Sequence, residues 1–254
     1  MNTSKERLVV YTAVVGDRDP LRPPAFIADN VDYVCFTDDL ERPAAGWALR
    51  AVEWVGRDPI RSARRCKLLS HRYFNEYDFS LWVDANIVPA CDPWKLVELF
   101  GMDADLVLHQ HPHRRCVYEE AAMCIAMYKE RIGALEKQSE RYEREGLPHH
   151  SGLFETGVLL RRRSDAVAAF NERWWEEIVR HSSRDQISLP YVLMKSPIVV
   201  ATFPFALRDN SYLLYHHHEI RPHRRYRTYL AFRRNAGRLF RALCRSLKGL
   251  SGRA

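Results

Sequence analysis

Two short oxygen-bearing side chains, Asp84 and Asn86, stand one residue apart where the apolar run Phe79-Ser80-Leu81-Trp82-Val83 ends. A run of that length and composition reads as a buried strand. Residues i and i+2 of an extended segment point to the same side. A carboxylate and an amide oxygen could therefore meet on one Mg²⁺ or Mn²⁺ and leave coordination positions for phosphate oxygens. The same pair could equally serve a turn, Asp84 as its cap and Asn86 through its tolerance of a left-handed backbone.

Other residues could join that chemistry. Arg61, Arg64 and Lys67 recur at three-residue spacing within a helical pattern over 60–74, so one helix face would present cations to a diphosphate or donor sugar, or to water alone. Tyr11, Thr12 and Ala13 lie near the end of a strand-like run over 8–15, before the turn-forming Gly16 to Pro20, and Asp38 lies at the end of a second such run. In an open α/β sheet those carboxyl ends line the ligand crevice, where such residues would hold base and ribose. Glu155 in a strand-like segment, with Asp185 and Gln186 at a helix start, would face them, although an acid in a first helical turn also offsets the helix dipole. His109, His111 and His113 with Cys116 could bind zinc, but Pro112, Arg114 and Arg115 suit an active-site loop better. Glu119 and Glu120 fit a helix start, and Trp174 and Trp175 fit helix packing.

The elements that must position these groups alternate. Strand patterns over 8–15, 32–37, 47–55, 79–83, 104–109 and 154–160 are separated by helical patterns over 60–74, 94–100, 118–145, 165–181 and 184–194. Such alternation predicts an α/β fold: a mostly parallel, Rossmann-type sheet flanked by helices, with ligands gathered at one edge. A chain of 254 residues, 46% apolar, suits one large domain, placed at 1–222. Residues 220–254 hold eleven Arg and Lys and no acid, leaving 28 basic against 32 acidic residues upstream. Within the tail, 223–254, Phe232, Ala236, Leu239, Phe240, Leu243, Leu247 and Leu250 recur at helical spacing among arginines. This predicts a basic amphipathic helix suited to an anionic membrane surface, or else packed on the domain. Aromatics on its apolar face rather than among the bases argue against a nucleic-acid partner. Six scattered cysteines predict reduced thiols, and no secretion signal or membrane span is visible.

Taken in order, Tyr11-Thr12-Ala13, Cys35-Phe36-Thr37-Asp38, Gly46-Trp47, Ala63-Arg64 with Lys67, Trp82-Val83-Asp84-Ala85-Asn86, Tyr118-Glu119-Glu120, Glu155-Thr156-Gly157-Val158, Trp174-Trp175 and Arg184-Asp185-Gln186 resemble the glycosyltransferase-like family catalogued as domain of unknown function 616. The resemblance covers about 9–205. More distantly the layout is similar to the glycogenin and lipopolysaccharide-galactosyltransferase group, whose GT-A fold carries an Asp-x-Asp metal motif. The chain departs from that group where Asn86 replaces the second Asp, where Thr or Glu replaces Asn in Glu155-Thr156-Gly157-Val158, and where Asp185-Gln186-Ile187 lacks a second acid.

The resemblance implies a GT-A-like fold and a Mn²⁺- or Mg²⁺-dependent glycosyltransferase. The implied donor is a nucleotide sugar, such as a UDP-sugar, and the acceptor a cell-surface glycan or glycolipid precursor at the cytoplasmic membrane face. It implies Asp84 and Asn86 as metal ligands with a late histidine, for which alternation favours His216 or His218 in Tyr215-His216-His217-His218. Other readings stay open: a metal-dependent hydrolase on the same site, or a nucleotide- or membrane-binding module without turnover.

Overall fold

The computed structural model of the protein describes residues 6–16, 19–127 and 129–217. The expected basic helix of the tail, Cys244 and His218 lie outside the described residues. Nine strands and seven α-helices follow one another among the described residues: β1 (Leu8–Val14), β2 (Val31–Thr37), β3 (Ala48–Ala51), α1 (Pro59–Leu68), α2 (Ser70–Tyr73), β4 (Phe79–Val83), β5 (Ile87–Pro89), α3 (Trp94–Leu96), β6 (Leu106–Gln110), α4 (Val117–Ala126), α5 (Ile132–Arg144), β7 (Phe154–Arg162), α6 (Asp165–Arg180), α7 (Asp185–Met194), β8 (Val200–Thr202) and β9 (Leu213–Tyr215). A π-helical turn, Val97–Gly101, follows α3.

The fold is α/β. Seven strands form one sheet in the order β3-β2-β1-β4-β7-β6-β8, and β5 pairs with β9 in a small antiparallel ribbon. Only β7 in the large sheet runs against its neighbours, β4 and β6; the other recorded pairings are parallel. Strands covered on both faces read as continuous apolar runs, and every position of β1 and β4 is buried. Tyr11, Trp82, Leu159, Phe170 and Trp174 fill one side of the sheet, and Leu8, Val10, Leu81, Val97, Leu160 and Phe203 fill the other. Because β7 is reversed, its first residues meet the last residues of β1, β2 and β4 at one edge.

Three predicted elements are shorter than the sequence pattern. The third strand keeps four residues. The helix over 60–74 breaks at Leu69, where φ is −97° and ψ is 38°. The carbonyl of Lys67, which a continuous helix would give to the amide of His71, is taken instead by Tyr11 Oη and Arg161 Nη1 at 3.0 and 3.1 Å. The long helix over 118–145 splits into α4 and α5, and between them the Glu130 carboxylate accepts bonds from Ser183 N and Oγ at 2.9 and 2.8 Å. No helix among the described residues is long and apolar enough to cross a membrane, and the five described cysteines are free.

Candidate active site

Asp84 follows β4 directly and sits at the meeting edge. Its N–H donates to Gly157 O at 2.8 Å and its carbonyl accepts from Ile87 N at 2.8 Å, so the chain turns sharply into β5. The side chain, 30% exposed, accepts from Trp82 Nε1 at 2.8 Å and from Lys67 Nζ at 3.3 Å, both on Oδ1. No described residue donates to Oδ2. Gly157 makes room for this turn: a Cβ there would lie 2.9 Å from Ile87 Cδ1 and 3.5 Å from Asp84 Oδ2.

Lys67 joins two acids from distant parts of the chain. Its ammonium is fully buried and lies 2.6 Å from Asp185 Oδ2 as well as 3.3 Å from Asp84 Oδ1. Arg64, one turn earlier on α1, brings its Nε within 3.3 Å of the same Asp185 oxygen. Thr156 Oγ1 donates to it at 3.0 Å, and Asp185 Oδ1 accepts from Gln186 N. Burial by itself would raise the Asp185 carboxyl, but Arg64 and Lys67 outweigh it and hold the group well below the usual carboxylate range. Burial also pushes the Lys67 ammonium down, against the pull of Asp185 and Asp84. Two negative and two positive charges thus stand together at the strand ends. With its lone pairs engaged, Asp185 is arranged here as an anchor of charge.

The other predicted residues separate into those at this cluster and those away from it. Glu155 is 7% exposed and pairs through Oε1 with Arg208 Nη1 at 2.6 Å. Gln186 donates from Nε2 to Phe154 O at 3.1 Å, tying α7 to the start of β7. Thr12 is buried with its hydroxyl unpartnered, and Ala13 is buried beside Tyr11 on the α1 side of the sheet. Asp38 is exposed and accepts from Gly16 N at 3.0 Å, fixing the turn after β1, where Gly16 has φ 68°. Two residues go elsewhere. The Tyr11 ring is fully buried between Phe74 and Trp82, so it braces α1 instead of facing a base. The Arg61 guanidinium bonds Asp58, Ile178 O and His181 O, so it joins α1 to the end of α6 and points away from Arg64 and Lys67.

Asn86 is 2% exposed and exchanges bonds with the backbone of His216: Nδ2 donates to His216 O, and His216 N donates to Asn86 O, each at 2.8 Å. The β5–β9 ribbon therefore carries the histidine run back to the Asp84 turn. Asp84 Oδ2 and an amide oxygen are hard donors that suit Mg²⁺ or Mn²⁺. Among the described residues no three His, Cys, Asp or Glu side chains gather to hold an ion. The zinc arrangement considered for His109, His111, His113 and Cys116 does not form: His111 Nδ1 accepts from His113 N and Arg114 N.

Sequence reasoning passed over Arg208 and the placement of His109. Arg208 is a lone cation in the apolar stretch Phe203-Pro204-Phe205-Ala206-Leu207, which was its one visible signal. His109 is 1% exposed, packs on Phe203 and Phe205, and leaves both ring nitrogens without partners. Burial, with Arg208 nearby, lowers its pKa to about 4. Next to its strand end opens a cleft of about 500 Å³ bordered by residues 110–115, Glu119 and His150.

Among known proteins, a probable hexosyltransferase of Arabidopsis thaliana, MUCI70, is 32% identical over 213 residues, spanning 73% of this chain and 37% of the relative. The Arabidopsis thaliana protein named alkaline ceramidase TOD1 is 26% identical over 221 residues, spanning 73% of this chain and 48% of the relative. The chain thus spans less than half the length of these curated relatives. Mouse xyloside xylosyltransferase 1 superposes with a TM-score of 0.47 at 13% identity, over 78% of this chain and 84% of that one. A glycosyltransferase involved in glycosylation of the PBCV-1 major capsid gives 0.41 at 10% identity, over 67% and 79%. The family model described as TOD1/MUCI70, glycosyltransferase-like domain, matches residues 47–217, and the chain belongs to that family.

Proposed function

We propose that the chain is a glycosyltransferase that moves a hexosyl group from a nucleotide sugar, such as a UDP-sugar, to a glycan or glycolipid precursor at the cytoplasmic face of a membrane. The observation that carries this reading is the Asp84–Lys67–Asp185 bridge with Arg64 beside it, at the carboxyl edge of the parallel strands. That edge is where α/β sheets bind nucleotides. The family and the hexosyltransferase relative support the same class of reaction.

In this reading the four charges have separate tasks. Breaking the bond between sugar and diphosphate builds negative charge on the leaving oxygens and positive charge on the anomeric carbon. Arg64, partly open to solvent, would meet the first, while the buried Lys67 and the ionised Asp185 would act from behind it as fixed charges. Asp84 and Asn86, with His216 or His218, would hold Mn²⁺ or Mg²⁺, whose part is to neutralise the diphosphate. Glu155 has one oxygen on Arg208 and lies beside His109 at the start of β7, so it would be the carboxylate that accepts a proton from an acceptor hydroxyl. Asp38 would border the nucleotide side, with Thr12 buried beneath it.

A second reading follows from the relative named as an alkaline ceramidase: the same carboxylates could activate water on a lipid amide. The two readings separate in one assay. With Mn²⁺ present, transfer predicts nucleoside diphosphate release that requires an acceptor and falls at least a hundredfold in Asp84→Asn. Hydrolysis predicts fatty acid release from ceramide with no nucleotide sugar. Nucleotide binding that Asp84→Asn leaves unchanged, without turnover of either substrate, would sink both.

A further inference from the structure

A second polar site lies at the opposite end of the sheet. Arg161, on β7, is 1% exposed, and its Nη1 donates to Tyr11 Oη at 2.8 Å and to Lys67 O at 3.1 Å. Its Nε and Nη2 have no acceptor, and no carboxylate among the described residues pairs with it. A guanidinium keeps its proton under any ordinary condition, so this is a buried positive charge without a counter-charge, an arrangement that proteins strongly disfavour.

The surroundings of that charge suit an anion. Arg161 borders a narrow pocket of about 20 Å³ walled also by Phe74, Phe79 and Val167 and by the hydroxyl-bearing Ser70, Ser80 and Ser164, with no Asp or Glu in its wall. Arg163 at its rim is already paired with Asp78 and Arg162 donates to Met102 O, so the unbalanced charge is that of Arg161. Ser164 caps α6, a helix of 16 residues, so the positive end of its dipole falls at the same place. The volume admits one small ion or one water molecule and excludes a phosphate ester.

We propose that this pocket binds a single small monovalent anion of the halide class as the counter-ion of Arg161. Such an ion fixes the guanidinium that grips the Lys67 carbonyl, and so steadies the end of α1 from which Lys67 reaches Asp84 and Asp185. The site is separate from the sugar-transfer reading and stands or falls without it. Water is the competing occupant, because the unpartnered Asn171 Oδ1 also borders the pocket and would accept from water and repel an anion.

Crystals of the full chain grown in sodium bromide should show one anomalous peak within hydrogen-bonding reach of Arg161 Nε and Nη2. Melting curves of the wild type should rise saturably by a few degrees when bromide replaces gluconate at equal ionic strength, and Arg161→Met should lose that rise. Ordered water without an anomalous peak would overturn the proposal. So would equal melting in the two salts, which the wild type alone can reveal even if Arg161→Met fails to fold.

Discussion

Lys67 is the residue on which the candidate site turns. One ammonium, shut off from water, holds Asp185 on α7 and Asp84 after β4. Removing one partner of a buried ion pair leaves the other uncompensated, so Lys67→Met should lose on the order of 3–5 kcal/mol in urea unfolding. Asp185→Asn introduced into that variant should restore part of the loss, because it removes the stranded charge; additive losses would show that the two do not interact. Arg64→Met should cost less, since Arg64 is partly open to solvent. His109 allows a separate test. Its pKa falls from 6.5 to about 4 on folding, so between those values the unfolded chain binds the extra proton and stability drops as the pH falls. The difference amounts to about 3 kcal/mol at most. His109→Phe should flatten that part of the stability curve relative to wild type, and an unchanged slope would show that His109 titrates normally.

At the scale of elements, α1 presents Arg64 and Lys67 in register because its start is well fixed. Asp58 Oδ1 accepts from Ile60 N and Arg61 N at 2.9 and 3.0 Å, Pro59 occupies the first turn, and Arg61 closes on Asp58 Oδ2. Asp58→Ala should therefore lower stability by about 1 kcal/mol and weaken donor binding with it, to be read by melting and by nucleotide titration. A variant that melts lower but binds donor normally would mean that α1 is held mainly by Tyr11 and Arg161 at its other end. That far end also explains what the sequence left out of view. Short apolar runs and the helical pattern over 165–181 announced β1, β2, β4, β7 and α6, because local composition and spacing decide those elements. The breaks at Leu69 and between α4 and α5 arise from Tyr11, Arg161 and Ser183, which no local pattern contains. Likewise β5, β8 and β9 have three residues each, too few for a period to register. Asp84 and the acid at 185 stood out in the chain as types at element ends. Which cation joined them did not, since Arg61 and Lys67 share one spacing and only packing sends Arg61 to α6.

The whole molecule divides its charge unevenly. Eleven basic residues and no acid fall in 220–254, while the remainder carries a net charge of about −4. An acidic body is repelled by an anionic bilayer, so any attraction must come from the tail, where each basic residue near the surface contributes about 1 kcal/mol. Deleting residues 225–254 removes nine of those eleven cations together with the recurring leucines and phenylalanines. The truncated chain should sediment free of phosphatidylserine vesicles yet keep the nucleotide affinity of the full chain, because Asp84, Lys67 and Asp185 all lie upstream. Vesicle binding by the full chain should also weaken as salt is added, since exposed charges are screened over about 10 Å at 0.1 M ionic strength. Salt-resistant binding that survives the deletion would place the membrane contact on the folded body, and the tail would then have to be explained by something other than lipid.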